Sequence, residues 1–116
     1  MEKRFVLSML ADFYGPLLTK HRHSILSMYL DEDMSYQEIA EQLSISRQGV
    51  HDAIKRAQEQ LTHYESVLGL AARYGGIMGE VAVCRSHLSL ITATDETEKS
   101  LEAAKKSLDN IERMER

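Results

Sequence analysis

SYQEIAEQLSISRQGVHDAIKRAQEQL, residues 35 to 61, reads as two helices joined by a tight turn. Ser35 stands three residues before Glu38, the spacing of a capping box in which each side chain satisfies a backbone N–H at the start of a helix. Ile39, Ala40 and Leu43 then form an inner face, with Ala40 small enough for two helices to cross closely. Ile45 plugs the turn, and Val50 and Ile54 are the matching inner positions of the second helix. Ser46 opens that helix, its hydroxyl within reach of the N–H of Gln48 or Gly49. The pattern is that of a helix-turn-helix.

The outward side of the second helix carries Arg47, Gln48, His51, Asp52 and Lys55. In the docking mode of this motif the second helix lies in the major groove of duplex DNA and its first turn reaches furthest in. Arg47 can pair bidentately with guanine and Gln48 with adenine. Ser46, Lys55 and Arg56 are placed for phosphate contacts, which position without specifying. His51 can meet a phosphate or a base. Asp52 repels phosphate unless it accepts from cytosine. The candidate DNA-binding set is therefore Ser46, Arg47, Gln48, His51, Asp52, Lys55 and Arg56. The alternative is an amphipathic helix pair that contacts protein or RNA.

Composition bounds the rest. The chain has 116 residues, 43% hydrophobic, with one proline, two Phe and no Trp, and its abundant Ala, Leu, Glu, Gln and Lys favour helix almost throughout. An all-α fold is expected. The single Cys84 excludes an intrachain disulfide and fits a reducing, cytoplasmic interior. Residues 1 to 11 carry Lys3 and Arg4 before FVLSMLA, but this apolar run is short for a signal peptide and reads better as an amphipathic first helix. No stretch has the length needed to span a bilayer, so no membrane insertion is expected.

The net charge is −4, and neither half is basic. Residues 1 to 68 hold seven Lys and Arg against ten Asp and Glu, and residues 69 to 116 hold seven against eight. Phosphate neutralisation supplies most non-specific affinity, so a monomer should hold DNA weakly at physiological salt. Local charge differs: residues 46 to 58 carry Arg47, Lys55 and Arg56 against Asp52 alone, and dimerisation would double that face. Cys84 and His87 have a two-ligand helical spacing with no second pair to complete a metal site, and His21 and His23 cannot share one helical face. No nucleophile with its base, phosphate cradle or carboxylate pair stands out. Neither an enzyme nor a cofactor or metal is expected.

Outward from the motif, Phe5, Met9 and Phe13, with Val6, Leu10 and Leu17, recur at helical spacing until Gly15 and Pro16 interrupt. Thr19 caps a second helix with Ile25, Leu26, Met28, Tyr29 and Leu30 on its apolar side, and Asp31, Glu32 and Asp33 connect it to Ser35. On the other side Val50, Ile54, Ala57, Leu61, Tyr64 and Leu68 keep the spacing until Gly69, giving a helix-turn-helix domain over residues 1–68. Gly69, Gly75, Gly76 and Gly79 mark a hinge over 69–79. Ile77, Val81, Cys84, Leu88 and Ile91, then Leu101, Ala104, Leu108 and Ile111, predict an antiparallel hairpin over 80–116, with Asp95 and Glu98 starting its second helix. Such short amphipathic helices need a partner, either a second chain in a homodimer or the N-terminal domain itself.

DFYGPLLT at 12–19, the acidic DED before Ser35 and SRQGVHDAIKR at 46–56 together resemble the YlxM family over residues 5 to 68. The resemblance implies a small bacterial protein whose helix-turn-helix is similar to region 4 of sigma factors, a winged-helix-like bundle without the wing. It also implies a DNA-binding regulator linked to the signal recognition particle pathway, or an interaction module that docks that particle's RNA or its GTPase. An acidic body suits a basic protein partner better than free DNA. Three positions depart from the family pattern: Gly49 for alanine, His51 for tyrosine and Ala53 for asparagine. Gly49 should loosen the first turn by about 1 kcal/mol. Ser44 holds a turn position that glycine often occupies, where a left-handed backbone carries strain.

Overall fold

The computed structural model describes residues 2–114, and helix is the only regular structure among them. The order is α1 (Glu2–Tyr14), a 3-10 turn (Gly15–Leu17), α2 (Lys20–Leu30), α3 (Tyr36–Leu43), α4 (Arg47–Leu68), α5 (Leu70–Ser89) and α6 (Glu98–Met114). The chain divides into two compact units, Met1–Ala71 and Ala72–Arg116.

In the first unit α1, α2 and α3 all pack on α4. One apolar cluster joins Leu7, Leu10 and Tyr14 of α1 with Leu18, Leu26, Ala57, Leu61 and Ala71. The other is the motif's own core: Ile25, Ile39, Ala40, Val50, Ala53 and Ile54, with Leu43 and Ile45 packed against it. Ile39, Val50 and Leu61 are fully buried, so α4 runs through both clusters and ties the motif to the rest of the domain.

The buried seam of α1 differs from the sequence expectation. Leu7, Leu10, Tyr14 and Leu18 face inward, whereas Phe5, Val6 and Leu17 are exposed, and Met9 and Phe13 are only partly covered. α1 carries apolar residues on several faces, and the packing on α4 selects one of them.

Tyr14 also closes the end of the domain. Its hydroxyl donates to Glu65 Oε1 at 2.5 Å and accepts from the Leu70 N–H at 3.0 Å, while Glu65 Oε1 accepts from the Ala71 N–H at 3.0 Å. These bonds satisfy amides that the first turn of a helix otherwise leaves unpaired. Burial first, and the hydrogen bond to Glu65 second, raise the Tyr14 phenol above its usual value of 10.0. A tyrosine titrates from neutral to charged, so a raised folded value gives stability that is fully present below pH 10 and lost as the pH rises through it. Thermal unfolding should thus show a melting temperature that falls above about pH 10, and Tyr14→Phe should lessen that fall.

The second unit is a helical hairpin. Arg85 of α5 pairs with Asp109, at 2.9 Å, and with Glu112 of α6, and both carboxylates raise its pKa further. Val81 and Leu108 are its buried apolar residues, while Val83, Ile91, Ile111 and Met114 are exposed. The start of α6 is set by Thr94 and Thr97 rather than by Asp95 and Glu98: the Thr94 N–H donates to Thr97 Oγ1 at 2.8 Å, and the Thr97 N–H donates to Thr94 Oγ1 at 3.3 Å.

Within the stretch 69–79, read from sequence as a hinge, only Gly69 interrupts the helix. Gly69 adopts the left-handed conformation, φ 62°, that stops α4, and α5 continues unbroken through Gly75, Gly76 and Gly79. Glycine without positive φ weakens a helix by about 1 kcal/mol but does not break one whose neighbours pack. The hairpin therefore begins its first helix at Leu70, ten residues earlier than the expected start at residue 80.

Candidate nucleic-acid interface

Local chemistry sets both motif helices. The Ser35 hydroxyl accepts from the Glu38 N–H at 3.1 Å, and the Glu38 carboxylate accepts from the Ser35 N–H at 3.0 Å, the reciprocal bonds that the spacing predicts. The bonds from Ser35 hold the Glu38 carboxyl below its usual value of 4.5. At the other end Ser44 is left-handed, φ 56° and ψ 43°, and the Ile45 N–H reaches back to the Ala40 carbonyl at 3.1 Å. This six-residue closure ends α3 and seats Ile45 over the crossing.

A residue other than glycine pays steric strain in the left-handed region. Ser44→Gly should therefore stabilise the domain, by about 0.5–1 kcal/mol after the added freedom of the unfolded chain is discounted. Urea unfolding of the two proteins measures this, and an unchanged midpoint would mean that Ser44 is unstrained.

The second helix starts where Ser46 Oγ accepts from the Gly49 N–H at 2.9 Å. A Cβ on Gly49 would stand 3.1 Å from that same oxygen. The helix propensity gained by alanine there would be set against crowding of the cap, and glycine leaves the Ser46 hydroxyl free to hold it.

Every candidate residue lies on the exposed side of this helix: Ser46, Arg47, Gln48, His51, Asp52, Lys55 and Arg56. Val50, Ala53, Ile54 and Ala57 take the buried side. Arg47 and Gln48 occupy the first turn, and Lys55 and Arg56 follow two turns later with Glu59 beside them. Glu59 moderates the positive charge expected for this edge.

Asp52 organises the middle of the face. Its Oδ1 accepts from Gln48 Nε2 at 3.0 Å and lies 3.6 Å from His51 Nδ1. His51 in turn sets its ring edge-on to Tyr36, 5.9 Å between centroids, and Tyr36 meets Tyr29 at 5.4 Å with the rings tilted by 53°. Arg4 lies over the Tyr29 ring, 4.5 Å from its centroid, and pairs with Asp33 at 3.0 Å. Tyr36 is the neighbour that sequence reasoning missed. It precedes His51 by fifteen positions, and only the crossing of α3 on α4 joins them. No group of His, Cys, Asp and Glu able to hold a metal occurs among the described residues.

A buried α3–α4 crossing with an exposed polar second helix defines a helix-turn-helix protein. The chain belongs to the UPF0122 family, whose model, described as "Putative helix-turn-helix protein, YlxM / p13 like", matches residues 1–111. The match extends past residue 68, so the hairpin is part of the family pattern as well. Similar proteins include the UPF0122 protein of Desulforamulus reducens, 43% identical over 74 residues, and that of Acetivibrio thermocellus, 50% identical over 74 residues. Each of these alignments covers 64% of this chain and 63% of the relative's length. The UPF0122 protein of Caldanaerobacter subterraneus is 46% identical over 82 residues, 70% of each chain.

Proposed function

We propose that the protein is a DNA-binding regulator that inserts α4 into the major groove of duplex DNA. The observation that carries this reading is the division of α4, whose buried side locks onto α3 while Arg47, Gln48, His51, Lys55 and Arg56 stand free of the core on the other side. Arg47 and Gln48 read base edges, and Ser46, Lys55 and Arg56 hold phosphates. DNA as the ligand requires a cytoplasmic location in a bacterium.

The acidic body makes a single copy a weak DNA ligand, and a homodimer through the α5–α6 hairpin answers that weakness. The exposed apolar residues of the hairpin, Val83, Ile91, Ile111 and Met114, support a second copy as the occupant. Light scattering should give twice the mass of one chain, and Ile91→Asp with Ile111→Asp should halve it.

Selection from random-sequence duplexes tests the DNA reading. Enrichment of two half-sites about 10 base pairs apart is expected from a dimer. An unenriched pool would overturn the reading in favour of the second one, an interaction module that docks the signal recognition particle RNA or its GTPase. The net charge of −4 favours the protein arm of that second reading, the GTPase, because a basic protein surface attracts what the phosphates of DNA and RNA alike repel.

A further inference from the structure

Resting on the DNA-binding reading, we infer that Asp52 is a positioning residue that fixes the orientation of the Gln48 amide and thereby sets which bases α4 accepts. An ionised carboxylate only accepts hydrogen bonds, and a glutamine amide has a donating end and an accepting end. Asp52 Oδ1 takes the donating end, Gln48 Nε2, at 3.0 Å. The bond fixes which way round the amide lies and takes one of its two N–H hydrogens, leaving Oε1 and a single N–H for a base, the acceptor and donor that adenine N6 and N7 match.

An outward acceptor matches a base that offers a donor in the major groove. Adenine N6 and cytosine N4 are such donors, whereas guanine O6 and thymine O4 are acceptors and meet Gln48 Oε1 unfavourably. Without Asp52 the amide can turn over and offer both Nε2 hydrogens to the two acceptors of guanine, O6 and N7. The carboxylate thus acts through Gln48, one turn away, and needs no base contact of its own. The geometry is reproducible within this chain: Gln37 Nε2 donates to Glu41 Oε1 at 2.9 Å across the same four-residue step on α3, so a glutamate at position 52 can reach Gln48.

The test is selection from random-sequence duplexes by the full chain and its Asp52→Ala and Asp52→Glu variants, followed by affinity measurements on sites differing only at the position that Gln48→Ala relaxes. The wild-type chain should prefer adenine or cytosine there on the order of tenfold. Asp52→Ala should lose that preference while holding random-sequence DNA at least as tightly, because one phosphate-repelling charge is gone. Asp52→Glu should restore the preference. An Asp52→Ala protein that keeps the wild-type base preference overturns the inference and leaves DNA recognition standing. Failure of the wild-type chain to enrich any sequence overturns both. A merely structural role for Asp52 would lower affinity for all sequences and leave the base preference unchanged.

Discussion

Leu61→Ala is expected to destabilise the motif domain by about 2–5 kcal/mol, the cost of emptying a core position that collapses only partly. Leu61 is fully buried on α4, in one cluster with Leu7 and Leu10 of α1 and Leu26 of α2. Its loss strips contacts from three helices together, which is a large share of the about 5–15 kcal/mol that holds a typical domain. Val67, on the same helix but 67% exposed, supplies the control, and its replacement by Ala should change stability by no more than about 0.5 kcal/mol. Urea unfolding followed by circular dichroism measures both. Equal midpoints for the two variants would mean that α4 is not the central strut of the domain.

The second large effect belongs to the interface. Arg47→Ala and Gln48→Ala should each weaken binding to an enriched duplex by about 1–3 kcal/mol and relax the base preference at one position. Both side chains are exposed, so the unfolding midpoint should stay close to that of the parent chain. Lys55→Ala should behave differently. It should weaken all sequences alike and reduce the slope of log affinity against log salt by about 1, the signature of one lost phosphate contact. A Lys55→Ala protein with changed base preference, or an Arg47→Ala protein with unchanged preference, would reverse these assignments.

The motif was legible from sequence because its information is local. Ser35 with Glu38, Ile39 with Ala40 and Leu43, and Val50 with Ile54 lie within one or two turns of each other, and the fixed helical repeat converts their spacing into faces. Ser44 was readable for the same reason, since the turn between these helices demands one left-handed residue. The seam of α1 was not readable. Phe5, Val6, Leu7, Met9, Leu10, Phe13 and Tyr14 give that helix several apolar faces, and only contact with α4 chooses among them.

Glycine misled for a related reason. Gly69, Gly75, Gly76 and Gly79 look alike in a sequence, yet Gly69 alone takes a positive φ, and the helix hydrogen bonds carry α5 past the other three. On α4, the outward placement of the candidate residues was legible from helical spacing. The bond from Gln48 to Asp52 joins neighbours one turn apart and was open to the same reasoning, whereas the ring contact of Tyr36 with His51 depends on the tertiary crossing.

Capture of genomic DNA fragments and cellular RNA by the full chain, beside an Arg47→Ala, Gln48→Ala double variant, tests DNA reading by α4 most directly. The account predicts enrichment of a short palindromic DNA motif that the double variant loses. Recovery of the signal recognition particle RNA, or of no nucleic acid above background, would contradict it.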